Sequence, residues 1–314
     1  MAKPPSLTPL IAVIVVIVVG AGIGSGVLYY HFQPAAAPGV LTVAVGDNVT
    51  VNYIGIFGSG PEQGKVFDTS IYSVATDSIA YPKSLQFHMR SSAANYTPLA
   101  VHVGTDAPSG GYSLGGQSYI TVVTGFWQGL VGLTGNATRT LAVPPDLGYG
   151  PTDPACVAVR PLSFTVPVVQ TMSGTAFSKS FPGVTAVTGS TFPQPSYGWP
   201  VVILSTNASF VTIENAPTLG WSSSPAGWPM VVTGIGSTAN GTGAITLTNE
   251  LYPSQAGHLQ GKDYLGNGPC TSQSGGAFIV TAVDLGNATY TENFNPEVQG
   301  QTLIFIVSIV DIYP

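Results

Sequence analysis

From Asn48 the chain alternates apolar and polar positions. Val49, Val51 and Tyr53 interleave with Thr50, Asn52 and Ile54, a period of two that defines a strand, ending at the turn-prone Gly58-Ser59-Gly60-Pro61. This reads as the first arm of a hairpin. Arg139-Thr140-Leu141-Ala142-Val143 is a second short β-rich run, stopped by Pro144-Pro145, which removes two ladder donors. Between the two, Phe126–Leu133 predicts a short helix closed by Gly135, so the segment reads as α+β. Ile71–Thr97 has little periodicity and reads as an inserted surface loop. From Pro151 the composition shifts to Thr, Val, Gly and Pro, and a weak repeat emerges. Gly198-Trp199-Pro200-Val201-Val202 leads to Phe210–Asn215, and 29 residues on Gly227-Trp228-Pro229-Met230-Val231 leads to Ala244–Asn249. A looser copy, Phe278–Val283, leads to Ala288–Thr291, so the region is expected to be a set of hairpins in an all-β domain. The run Thr302–Ile312, apolar and rich in β-branched residues, suits a central strand buried on both faces.

Leu10–Tyr30 carries no charge over a length that crosses ~30 Å of hydrocarbon at ~1.5 Å per residue. It is expected to be a transmembrane anchor. The rival reading is a cleaved signal peptide ending near Ala35-Ala36-Ala37. Lys3 precedes the span and no basic residue follows until Lys65, which assigns residues 1–9 to the cytoplasm and the body to the extracytoplasmic side, while 31–40, Pro/Ala-rich from Gln33 to Val40, reads as a short linker.

Only 7% of the 314 residues are charged, against ~25% in ordinary soluble domains, and the net charge is −6. No basic patch exists, so nucleic acid is not an expected partner. Asn48, Asn95, Asn136, Asn207, Asn240 and Asn287 each begin an N-x-S/T sequon and are candidate glycosylation sites. Cys156 and Cys270 are the only cysteines, read as one disulfide in an oxidising space or else as two buried thiols. His31, His88, His102 and His258 are scattered without ligand spacing, so neither a metal nor any other cofactor is expected. Trp199, Trp221 and Trp228 read as core residues in preference to an exposed apolar patch.

The stretches VTVNYIGIFGSGPEQGKVFDTS at Val49–Ser70 and VVTGFWQGLVGLTGNATRTLAVPPDLGYG at Val122–Gly150 together resemble the FKBP-type peptidyl-prolyl cis-trans isomerase core. FNPEVQGQTLIFIVSIV looks like the last strand of SlyD-like and archaeal members, in which a second domain interrupts the flap. The resemblance implies an FKBP-like antiparallel sheet with a short helix over 41–150 and 293–314, and a β-rich, chaperone-like insert over 151–292. It also implies an aromatic-lined pocket for a proline ring, with catalytic positions at Tyr53, Phe67, Asp68, Phe126 and Tyr149 and substrate-binding positions at Leu99, Val101, Val122, Val123 and Phe305. Phe126 stands where the family often has Trp, and the basic residue that often pairs with the Asp is missing near Ser70, Arg90 lying in the inserted loop.

The expected activity is isomerisation of X-Pro bonds in unfolded or proline-containing exported polypeptides, without covalent chemistry. The alternative is a non-enzymatic holdase or cell-surface binding module on the same scaffold; a structural envelope protein leaves the pocket residues unexplained. Taken singly, Tyr53, Phe67, Val122 and Phe305 suit any β core, Asp68 suits a turn cap, and only their combination carries the assignment.

Overall fold

The computed structural model describes residues 40–105, 111–236, 243–270 and 276–314. Strand accounts for 41% and helix for 12%, in several antiparallel sheets. The chain is therefore mostly β, which corrects the α+β expectation. The physical reason is that the helical stretch after Val123 closes after seven residues, while apolar positions elsewhere alternate. Among the described residues no helix is long and apolar enough to cross a membrane, and the run Leu10–Tyr30 lies outside them. The expected transmembrane helix, the single-pass membrane location and the extracytoplasmic placement of the body are corrected with it. A charge-free run meets the length condition for spanning and no more.

In chain order the first lobe comprises β1 (Asn48–Phe57), β2 (Val66–Thr69), α1 (Tyr72–Thr76), β3 (Leu99–His102), β4 (Tyr112–Leu114), β5 (Gln117–Tyr119), α2 (Thr124–Leu130) and β6 (Thr138–Val143). The insert comprises β7 (Val157–Pro161), β8 (Ser163–Pro167), β9 (Val169–Ser173), α3 (Gly174–Ser180), β10 (Thr191–Pro193), β11 (Pro200–Thr206), β12 (Phe210–Asn215), β13 (Ser222–Ser223), β14 (Met230–Ile235), β15 (Ala244–Asn249), β16 (Leu259–Lys262), β17 (Ala277–Asp284) and β18 (Thr289–Asn293). The chain then returns as β19 (Leu303–Tyr313).

The first sheet has the order β2-β1-β19-β6, with β3 on the half of β1 that β2 leaves free. β19 pairs with β1 from end to end, Asn48 opposite Tyr313 and Phe57 opposite Leu303, so the last strand in sequence is central in the sheet. Val49, Val51, Tyr53, Phe57, Leu303, Phe305, Val307 and Ile309 face one core, under α2. Ile54, Ile56 and Ile306 face the other side, where Val74, Tyr81 and Phe87 from residues 71–97 cover them. The inserted loop is thus the back cover of the sheet. In α2, Gly125 and Gly129 lie against β6: a Cβ on either would come within 2.8 Å of Val143 or 2.5 Å of Leu141, so their bare backbones let the helix settle on the sheet.

The insert is built from three four-stranded sheets around one core. β7, β8 and β9 are consecutive five-residue strands separated by the single buried residues Leu162 and Val168. They pair in reverse chain order with the three hairpins, β7 with β18, β8 with β15 and β9 with β12. The indole N–H groups of Trp199 and Trp228, both buried, donate to Asn215 and Asn249 at the hairpin ends. These asparagines in turn donate to the carbonyls of Pro167 and Leu162, tying the hairpins to the β7–β9 run. Trp221 is partly buried against the same core. A disulfide joins Cys156, at the entry to β7, to Cys270. Both lobes belong to one compact unit, and the 58–64 turn meets the insert where His258 Nδ1 stands 3.3 Å from Glu62 Oε1.

Candidate functional site

The DTS sequence that ends β2 organises the site. Ser70 Oγ accepts from the Tyr53 backbone N–H at 2.9 Å and the Thr69 hydroxyl donates to the Tyr53 carbonyl at 2.8 Å, so two short side chains fix the strand at Tyr53. With the backbone held, the Tyr53 hydroxyl donates to Asp68 Oδ2, and Asp68 Oδ1 accepts from the Thr69 N–H at 2.8 Å. The Phe67 side chain crosses Gly55 of β1, where a Cβ would lie 2.6 Å from the ring, so glycine there makes room for an aromatic wall.

Phe67, Phe126 and Phe305 then meet edge to face. The Phe126 and Phe305 centroids are 4.9 Å apart at 89°, and those of Phe67 and Phe305 are 5.5 Å apart at 86°. Phe126 is 2% exposed and closes the bottom of a cavity of about 330 Å³, with Leu99, Val122 and Val123 completing its apolar walls. Tyr149 stands at the rim, 50% exposed, on a turn locked by the Gly150 N–H donating to the Pro145 carbonyl at 2.7 Å. Its hydroxyl has no hydrogen-bond partner among the described residues. Burial first, and the Asp68 charge second, raise the Tyr149 pKa, so the phenol stays a donor at neutral pH. Burial also raises that of Tyr53, followed by the Asp68 charge and hydrogen bond, with Arg90 opposing.

The structure brings Tyr53, Phe67, Asp68, Leu99, Val122, Val123, Phe126, Tyr149 and Phe305 to this one cavity. Val101 is not among its lining residues. It sits opposite Val49 deep in the core, with no exposed surface. Ile120 and Thr121 also line the cavity, and the sequence reading missed them. It missed Arg90 too. The loop that covers the back of the sheet returns Arg90 to the rim, where Nη2 lies 3.2 Å from the Tyr53 hydroxyl and 3.6 Å from Asp68 Oδ1. The basic partner is therefore present, delivered from a distant segment. Its one available signal was rarity, Arg90 being one of three arginines in the chain.

Of the sequon asparagines, Asn95, Asn136, Asn207 and Asn287 are exposed, while Asn48 is half-buried in β1 with Oδ1 3.1 Å from His102 Nδ1. Asn207 and Asn287 occupy hairpin tips, and Asn240 lies outside the described residues. Among the described residues no group of three or more His, Cys, Asp or Glu side chains is placed to hold a metal ion. Set beside known proteins, the chain matches no family model and no curated protein.

Proposed function

We propose that the chain is a peptidyl-prolyl cis-trans isomerase of the FKBP type, acting on proline-containing polypeptides through the Phe67–Phe126–Phe305 cavity. The observation that carries this reading is an open apolar cavity, floored by one ring and walled by two more, with a phenol at its rim that has no hydrogen-bond partner among the described residues. Rotation about an X-Pro bond faces a barrier of about 18–20 kcal/mol because amide resonance is lost in the twisted state. The twisted imide is less polar than the planar one, so an apolar aromatic wall stabilises it selectively. Tyr149 donates to a substrate carbonyl at the rim and holds the chain while the imide turns. Asp68, fixed by Tyr53 and Arg90, holds the β1–β2 side of the cavity in place; no nucleophile or proton transfer is required.

A binding module that holds extended chains without turning them is the second reading, favoured by the exposed apolar side chains of Ile120 and Leu147 beside Tyr149. One experiment separates the two: cis-trans exchange of a short X-Pro peptide, followed by NMR with the full chain. Faster exchange that disappears in Phe67→Ala supports the isomerase. Binding without faster exchange rejects it in favour of the module.

A further inference from the structure

The three sheets of the insert are equivalent position by position, and one departs from the pattern. In the first, Met172 of β9 pairs with Val211, next to Ile213; in the second, Val166 of β8 pairs with Ile245, next to Leu247. In the third, the corresponding positions carry Arg160 of β7, Tyr290 and Glu292. Where the other two sheets each carry an apolar triad, the third carries a cation, a phenol and a carboxylate. Glu292 is only 7% exposed, and apolar side chains fill the same place in the other two sheets, so packing alone does not call for the ion pair. A cavity of about 240 Å³ opens beside it, over Phe164 and Phe278 and bordered by Lys262.

The hydrogen bonds inside this cavity leave one kind of capacity unused. Glu292 Oε1 accepts from the Tyr290 hydroxyl at 3.0 Å and Oε2 from Arg160 Nε at 3.0 Å. Asp263, also on the wall, accepts from the backbone N–H groups of Asn267 and Gly268. Each of these four carboxylate oxygens therefore already accepts one hydrogen bond. Arg160 Nη2 donates to Asn267 at 3.2 Å, while Nη1 and the Lys262 ammonium have no partner among the described residues. The charged donors left free are thus both cationic, beside the neutral Asn267 side-chain amide; Phe164 and Phe278 supply aromatic wall, and the volume is below the ~300–1,000 Å³ of drug-sized sites.

We infer that this cavity binds an apolar side chain adjoining a free carboxylate, with the ring against Phe164 and Phe278 and the carboxylate on Lys262 and Arg160 Nη1. The site is independent of the proline cavity and of the activity proposed for it.

The test is calorimetric titration of the full chain with N-acetyl-phenylalanine and with its amide, which keeps the ring and removes the charge. The acid should bind about tenfold more tightly than the amide, and Lys262→Met, at an exposed position that leaves the Arg160–Glu292 pair intact, should weaken the acid severalfold toward the level of the amide, Arg160 Nη1 keeping the remainder, with the amide unchanged. N-acetyl-Gly-Gly-Phe with a free C-terminus, run in parallel, tells a polypeptide end from a small acid as the source of the carboxylate. Equal binding of acid and amide, an acid affinity unchanged in Lys262→Met, or no binding of either ligand overturns the inference.

Discussion

Phe67→Ala is the perturbation that bears most directly on the proposed cavity. The ring touches Phe57 and Phe305, at centroid distances of 5.1 and 5.5 Å, and lies over Gly55. A fully buried Phe→Ala change costs about 3–5 kcal/mol, and one side of Phe67 faces the cavity, so the expected loss of stability is about 2–3 kcal/mol. The catalytic loss has a separate magnitude. A proline ring set against this wall covers roughly 50 Å² of apolar surface, which at ~25 cal/mol/Å² is ~1.3 kcal/mol. That corresponds to about a tenfold fall in kcat/KM. The assay is proline-limited refolding of a model protein at a temperature where urea titration shows Phe67→Ala still folded, with Phe67→Leu as the control that restores most of the volume. Peptide affinity and kcat/KM should fall together in the alanine variant and recover in the leucine variant. An alanine variant that is folded, binds peptide normally and retains full turnover would refute the cavity as the site of rotation.

Tyr149→Phe removes one rim hydrogen bond worth about 0.5–1.5 kcal/mol, so kcat/KM should fall about two- to tenfold with the melting temperature unchanged; a shift in melting alone would assign Tyr149 to folding. Burial raises the pKa values of Tyr53, Tyr264 and Tyr290 well above the ordinary tyrosine value of 10.0. These phenols ionise near 10 when unfolded and higher when folded, so their stabilising contribution is complete below pH 10. Above it the loss is about 1.4 kcal/mol per pH unit for each. Urea midpoints measured across that range should fall less steeply in Tyr53→Phe than in the parent, and parallel slopes would contradict the assignment. The Cys156–Cys270 bond closes a loop with a sequence separation of 114, for which chain entropy gives about 4–5 kcal/mol. A reductant should accordingly lower the urea midpoint of the insert, and an unchanged midpoint would mean that the crosslink adds little to the packed tryptophan core.

Local periodicity made much of this arrangement legible. The alternation at Val49–Tyr53 corresponds to β1, the apolar run Thr302–Ile312 to a central β19, and the three repeat copies to the hairpins β11–β12, β14–β15 and β17–β18. Period alone gives a face and not a depth: Leu99 and Val101 lie on the same face of β3, yet the cavity reaches Leu99 and stops short of Val101. Arg90 was illegible for a different reason, since its approach to Asp68 depends on the path of the whole 71–97 segment across the back of the sheet. The β7–β9 run was missed because five-residue strands ending in Pro161 and Pro167 look like turns, although buried Leu162 and Val168 mark a six-residue period. The α+β expectation gave a seven-residue helix the weight of a layer.

Both candidate sites lie where a local rule is broken, and in each the break has a structural cost that core packing does not explain. Gly55 sits inside β1, where glycine weakens a strand, and its missing side chain is what lets Phe67 wall the first cavity. Arg160, Tyr290 and Glu292 sit at positions that the other two sheets of the insert fill with Met172, Val211 and Ile213 or Val166, Ile245 and Leu247. A sequence shaped for stability alone would favour a β-branched residue at the first place and an apolar triad at the second. Regular positions therefore define the frame of this protein, and irregular ones coincide with the two cavities for which ligands are proposed. The insert makes that comparison internally, because two intact sheets show what the third would be without its cavity.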